Sequence, residues 1–128
     1  MVVLDTSIII DHLRQKPGHP TRLLKVLSKV GKQNLAISPI TIQELYRGES
    51  TRDEAKEELL LATIAPLRLL PYTYEVAQLA GEIGRDSQRS IELGDAVIAA
   101  TAITHGAQLL TLNQKDFSHI PEIDLFHS

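Results

Sequence analysis

Val2-Val3-Leu4-Asp5-Thr6-Ser7-Ile8-Ile9-Ile10-Asp11-His12-Leu13 opens the chain, and its reading decides the fold class. Val2 to Leu4 is a short apolar run that predicts a buried strand. The three isoleucines could extend that strand, because β-branched side chains suit a pleated surface. Asp5-Thr6-Ser7 interrupts them with three helix-capping residues, so Ile8 to Leu13 is assigned to a short helix. A strand turning at once into a helix is how an alternating α/β chain begins.

The rest of the chain repeats that alternation. Lys16 to Pro20 is a loop, and Thr21 to Lys32 is helical, with Leu23, Leu24, Leu27 and Val30 at helical spacing. Leu35 to Ile37 is a second strand. Ser38-Pro39 then supplies an N-cap with Pro at the first helical position, and that helix stops near Gly48. Thr51 and Glu54 fit a capping box for a further helix running to about residue 65. Leu67 to Leu70 is a third strand and Thr73 to Asp86 a helix. Ser90 is expected to cap a long helix from Ile91 to His105, closed by Gly106. Gln108 to Leu112 is a fourth strand, Asn113 to Phe117 a turn, and Ile123 to Phe126 a candidate fifth, edge strand. Short apolar strands separated by helices predict an α/β fold: a three-layer α/β/α sandwich around a mostly parallel sheet of four to five strands.

The chain has 128 residues, which suits a single domain over 1–128. With 43% apolar residues, five aromatics and no tryptophan, the core must be built from Leu, Ile, Val and Ala. Cysteine is absent, which excludes disulfides, thiolate zinc sites and cysteine nucleophiles. No secretory signal opens the sequence and no apolar run is long enough to span a bilayer, so a soluble, cytoplasmic protein is expected, with no membrane partner. Thirteen Lys/Arg stand against sixteen Asp/Glu, a formal charge of −3. That is not the footprint of a strong non-specific nucleic-acid binder, yet it leaves a nuclease open. The bases also cluster: Arg14, Lys16, Arg22, Lys25, Lys29 and Lys32 make the first quarter cationic.

Four acids stand out by position: Asp5, Glu44, Asp95 and Asp116. Each lies where an apolar strand ends or inside the helix that follows, and in a parallel fold that edge is where distant segments converge. Each also has an ordinary reading. Asp5 can be an N-cap, Glu44 a solvated helix residue, and Asp116 a turn residue. Asp95 resists one, because Gly94-Asp95-Ala96-Val97-Ile98-Ala99-Ala100-Thr101-Ala102 is too small and apolar for a surface helix. A carboxylate is expensive to bury there without a cation. Glu92 can share its face and is a possible additional acid. Thr6, Ser7 and Asn113 can orient the acids or simply cap and turn. Together the acids could bind one or two Mg²⁺ or Mn²⁺ ions, which position a phosphodiester and activate water.

Other chemistries lack their residues. His12, His19, His105, His119 and His127 show no zinc-type spacing. There is no glycine-rich phosphate loop and no serine in a nucleophile elbow. A receiver domain would need an Asp after its middle strand, where Leu67 to Leu70 runs into Pro71. An Asp-x-Asp phosphatase would need a second Asp where Ser7 stands.

Four segments in order resemble the PIN-domain family, and within it the small VapC-type toxins of toxin–antitoxin pairs. They are Leu4-Asp5-Thr6-Ser7, Glu44-Leu45-Tyr46-Arg47-Gly48, Asp95 to Ala102, and Leu110-Thr111-Leu112-Asn113-Gln114-Lys115-Asp116-Phe117. The resemblance implies that Asp5, Glu44, Asp95 and Asp116 coordinate Mg²⁺ or Mn²⁺, with Thr6 or Ser7 and Asn113 in support. It also implies RNA as substrate, a small antitoxin as inhibitor, and a homodimer, for which the Leu59-Leu60-Leu61 run is an independent motive. Arg14, Arg47 and Lys115 are candidate guides for RNA phosphates. The expected function is a metal-dependent endoribonuclease. Its rivals are a DNA or flap nuclease and a non-catalytic PIN-like binding module.

Overall fold

The computed structural model describes residues 1–127. Four strands, β1 (Val2–Leu4), β2 (Leu35–Ile37), β3 (Arg68–Leu69) and β4 (Gln108–Leu110), form one sheet in the order β3-β2-β1-β4. Every neighbouring pair is parallel, and β1 lies opposite β4 at Val2↔Gln108, Val3↔Leu109 and Leu4↔Leu110. Successive strand residues face opposite sides. Val2, Leu4, Leu35 and Ile37 therefore pack into one core and Val3, Ala36 and Leu109 into the other.

Helices α1 (Thr6–Arg14), α2 (Arg22–Val30) and α4 (Glu54–Ile64) contribute Ile8, Ile9, Leu23, Val26 and Leu60 to the first core. Helix α6 (Leu93–Thr104) covers the other face with Ile98, Ala99 and Ala102, beside Phe117 of the short helix α7 (Gln114–Phe117). Helix α5 (Tyr74–Asp86) packs outside α6, with Val76 and Ala80 meeting Ala96, Val97 and Ala100. Seven consecutive buried residues, Ala96 to Ala102, show why α6 is so apolar: it is sandwiched between the sheet and α5. Helix α3 (Pro39–Arg47) sends Leu45 and Ile42 into the first core and Ile40 toward α6. It thus straddles the end of the sheet where β1 and β2 finish.

The local signals were mostly as expected. Ser38 caps α3, with its Oγ accepting from Ile40 N at 3.2 Å and Pro39 opening the helix. Thr21 and Thr73, read from sequence as the first helical residues, are instead the N-caps of α2 and α5. Gly106, at φ +61°, ends α6, and Ala107 N donates to Ala102 O while Gly106 N donates to Ile103 O, the pairing of a Schellman motif.

Several boundaries differ. The capping box at Thr51 and Glu54 does not form. Asp53 caps α4 through Lys56 N, because Glu49–Arg52 winds as a 3₁₀ turn and Thr51 Oγ1 donates back to Tyr46 O and Gly48 O. Glu92, not Ser90, occupies the N-cap position of α6. The third strand shortens to Arg68–Leu69 at the exposed sheet edge. The fourth ends at Leu110, since the Thr111 hydroxyl accepts Asn113 N and turns the chain. The fifth strand reduces to one parallel bridge, Leu109↔Leu125. Of the Leu59-Leu60-Leu61 run, Leu60 is core while Leu59 and Leu61 are 52% and 46% exposed.

Candidate active site

β1 is the strand at which the chain reverses direction across the sheet. β2 and β3 build outward on one side, and β4 returns on the other. Open α/β sheets bind ligands in the crevice beyond the carboxyl ends at such a switch. Asp5 follows β1 directly, and its N–H donates to Leu110 O at 2.9 Å across that crevice. By backbone Asp5 is the N-cap of α1, but its side chain makes no capping bond. Instead Oδ2 accepts from Ser7 Oγ at 2.7 Å and from Thr111 Oγ1 at 2.8 Å. Ser7 Oγ also accepts Leu112 N at 3.2 Å, and Thr111 Oγ1 accepts Asn113 N at 2.9 Å. A carboxylate only 3% exposed is thus held by two neutral hydroxyls. Among the described residues the ion pairs are Arg52–Glu49 and Arg85–Asp86, so no side-chain cation offsets its charge.

Glu44 reaches the same crevice from α3. Its Oε1 accepts from Thr6 Oγ1 at 2.7 Å. Thr6 Oγ1 also lies 3.0 Å from Thr41 Oγ1. The carboxylate can only accept, so the single Thr6 proton goes to Glu44 and Thr41 donates to Thr6. The Glu44 carboxylate rests on Gly94, where a Cβ would stand 2.6 Å from Oε2. A side chain at 94 would thus displace the Glu44 carboxylate from its present position.

Asp95, in the first turn of α6, is half-buried, and its carboxyl is pushed up from 3.8 to about 7. Burial is the largest cause, followed by the charges of Asp5, Asp116, Glu44 and Glu92. All four sequence-chosen acids, with Glu92, therefore act on one locus. They do so as electrostatic neighbours: among the described residues no three such side chains form a closed ion cage. Asp116 sits exposed on α7, and Glu92 is an exposed N-cap residue without a side-chain capping bond.

The supporting residues divide. Thr6 and Ser7 hold Glu44 and Asp5 through their hydroxyls, while Asn113 joins through its backbone N–H. Arg14, Arg47 and Lys115 are exposed. Arg14 ends α1, about 12 Å along the helix axis from Thr6. Arg47 follows Glu44 by one turn. Lys115 contributes its carbonyl, which accepts from Arg89 Nη1 at 3.0 Å.

Sequence reasoning missed Thr41, Thr111, Gly94 and Arg89 in these roles. Thr41 lies one turn before Glu44, and Thr111 follows β4 as Asp5 follows β1; those positions were the available signals. Nothing local marks Arg89, whose partner is distant in sequence.

A three-layer α/β/α sandwich with acids gathered at the switch point of its parallel sheet is the architecture expected from the sequence. The profile of the PIN domain matches residues 2–123, and the chain belongs to that family. It is 37% identical over 132 residues to ribonuclease VapC1 of Rickettsia felis, covering 97% of this chain and 93% of that protein. It is 30% identical over 126 residues to ribonuclease VapC19 of Mycobacterium tuberculosis, covering 96% and 97%. Among solved structures, DNA-bound VapBC from Salmonella typhimurium superposes with a TM-score of 0.84 at 27% identity, covering 98% of this chain and 96% of that one. FitAcB from Neisseria gonorrhoeae gives 0.78 at 26% identity, covering 99% and 97%.

Proposed function

We propose that this chain is a divalent-metal-dependent endoribonuclease and the toxin of a toxin–antitoxin pair, acting in the cytoplasm. The observation that carries the chemistry is Asp95, a half-buried carboxyl raised to about 7 beneath four further acids. An uncompensated group of oxygen donors suits a hard cation such as Mg²⁺ or Mn²⁺. The relatives named ribonucleases, and the solved toxin–antitoxin complexes of similar fold, support RNA as substrate and a small protein as inhibitor. No helix among the described residues is long and apolar enough to cross a membrane, which fits that setting.

In this reading Asp5, Glu44, Asp95 and Asp116 hold one or two ions. The bound ion supplies Lewis acidity, polarising a phosphodiester and lowering the pKa of water. Ser7 and Thr111 fix Asp5 by one oxygen, Oδ2, so Oδ1 is left without a side-chain hydrogen bond. Thr6 fixes Glu44 by Oε1, leaving Oε2 against Gly94. Both carboxylates are thus held before any ligand arrives, which lowers the cost of ordering them. Leu59 and Leu61 offer exposed apolar surface consistent with a homodimer or an antitoxin contact.

The test pairs Asp5→Asn and Asp95→Asn with the parent chain, stripped of any inhibitor. Cleavage of single-stranded RNA, duplex DNA and flap DNA is followed with Mn²⁺ and with chelator. Mn²⁺-dependent RNA cleavage by the parent and its near-abolition in both folded variants is expected. Undiminished RNA cleavage by the variants, or preferential cutting of DNA, would overturn the reading.

A further inference from the structure

Charge is distributed unevenly along this acidic protein. Residues 1–48 hold seven of the thirteen Lys/Arg but three of the sixteen Asp/Glu, leaving six bases and thirteen acids for residues 49–128. An RNA strand approaching the acidic crevice meets repulsion over most of the surface, so a compensating cationic track must be sought in the first part of the chain.

Helix α2 carries it. Leu23, Val26, Leu27 and Val30 pack inward, and Arg22, Lys25 and Lys29 fall within an arc of about 60° on the solvent side at 100° per residue. They are spaced by about 4.5 Å and about 6 Å along the axis, the scale on which a phosphate chain repeats its charge. None of the three is in an ion pair among the described residues. They line a groove of about 680 Å³ with Pro20, Leu24 and Ser28. The groove is fixed relative to the acids: Thr21 Oγ1 and His12 Nδ1 lie 2.8 Å apart, tying α2 to α1, whose first turn holds Glu44 and Asp5.

We propose that the Arg22–Lys25–Lys29 face of α2 binds the phosphate backbone of the RNA strand flanking the cleavage point. The inference rests on the ribonuclease reading above. A linear row of cations without fixed acceptors is suited to a regularly charged polymer and carries no base-reading geometry. Its contribution is affinity without sequence preference, lost as salt rises.

The experiment uses the full chain carrying Asp95→Asn, so that RNA is bound without being cut. A fluorescent single-stranded RNA is titrated across a salt series, with and without the triple change Arg22→Gln, Lys25→Gln, Lys29→Gln. A control triple, Arg52→Gln, Lys56→Gln, Arg68→Gln, removes the same charge elsewhere. Circular dichroism checks that each variant folds, as exposed side chains predict. The α2 triple is expected to weaken binding at low salt at least tenfold and to reduce the log–log salt slope by about 2, at about 0.7 per phosphate contact on a single strand. The control should leave the slope unchanged. Equal effects of the two triples would overturn the proposal. So would loss of poly-glutamate binding with RNA affinity retained, which would assign the face to an acidic protein partner. If the parent cleaves RNA and the α2 triple binds it normally, the track alone fails. If the parent neither binds nor cuts RNA, the ribonuclease reading fails and the track with it.

Discussion

The Glu44 carboxylate lies against the α-carbon of Gly94, close enough that a Cβ there would stand 2.6 Å from Oε2 and 3.1 Å from Cδ. One residue later comes Asp95. The missing side chain at 94 thus sets where a carboxylate on α3 sits relative to one on α6. Gly94→Ala should separate function from stability. The flexible Glu44 side chain gives way, so the fold survives, and Ala in place of Gly near a helix start adds up to about 1 kcal/mol. Thermal unfolding should show an unchanged or raised midpoint, while Mn²⁺-dependent cleavage falls at least tenfold. Full activity in Gly94→Ala would show that the Glu44 position is not required.

Asp95 makes stability depend on pH in a direction opposite to that of a salt-bridged acid. Its carboxyl titrates at about 7 when folded, against an ordinary 3.8. Between those values the folded chain holds a proton that the unfolded chain has released. Stability in chelator therefore declines as pH rises from about 4 to about 7, and the loss is complete above that. Asp95→Asn removes this contribution. Its melting temperature at pH 8 should exceed that of the parent, and the gap should close toward pH 4. Mn²⁺ should raise the parent's melting temperature more at pH 8 than at pH 5, because proton and ion compete for the same oxygens. Parallel pH profiles for parent and variant in chelator would refute the assignment.

Thr111 joins the ends of β1 and β4 through one hydroxyl, which donates to Asp5 and accepts from Asn113 N. It is buried at 3% exposure, so water cannot replace it. Thr111→Val keeps the shape and removes both bonds, for a loss of about 1–3 kcal/mol by urea denaturation. Thr111→Ser retains the hydroxyl and should stay within about 1 kcal/mol of the parent. If Val and Ser behave alike, packing rather than hydrogen bonding dominates at 111.

These sites also show where the sequence was informative. The strands were legible because Val2 to Leu4, Leu35 to Ile37 and Leu109-Leu110 are buried on both faces, which leaves continuous apolar runs. The helix at 93–104 was legible as central for the same reason. Asp5 and Asp95 were legible because a carboxylate beside such runs needs an explanation, whereas Glu44 and Asp116 stood out only by their order and flanking residues. What hid were contacts between distant segments. The Asp5–Thr111 bond joins residues 106 apart, and a threonine ending a strand looks like any β-branched residue. Ser90 was chosen to cap α6 because it is the better capping side chain, yet the backbone turns at Glu92, whose side chain caps nothing. The fifth strand failed because backbone pairing with Leu109 is satisfied by Asp124 O and Phe126 N alone.

Arg89 holds the segment that presents Asp116. Helix α7 has four residues and no side-chain cap, so its own hydrogen bonds cannot hold it. Phe117 anchors it from below, and Arg89 Nη1 grips Lys115 O from the side at 3.0 Å. The loop bearing Arg89 is itself fastened. Ser87 Oγ donates to Arg89 O, so His119 Nε2, at 3.2 Å from Ser87 Oγ, must be the donor to it. Among the described residues, His119 Nδ1 is buried without a partner. Arg89→Ala should loosen α7 and leave the rest of the site in place. A hydrogen bond of this kind is worth about 0.5–1.5 kcal/mol, so the Mn²⁺ concentration for half-maximal cleavage should rise about two- to tenfold. Amide exchange at Asp116 and Ser118 should quicken in the metal-free protein, and Arg89→Lys should restore part of both. KM for RNA, measured at saturating Mn²⁺, should not change. A raised KM with unaltered metal dependence and exchange would instead place the Arg89 guanidinium on the substrate.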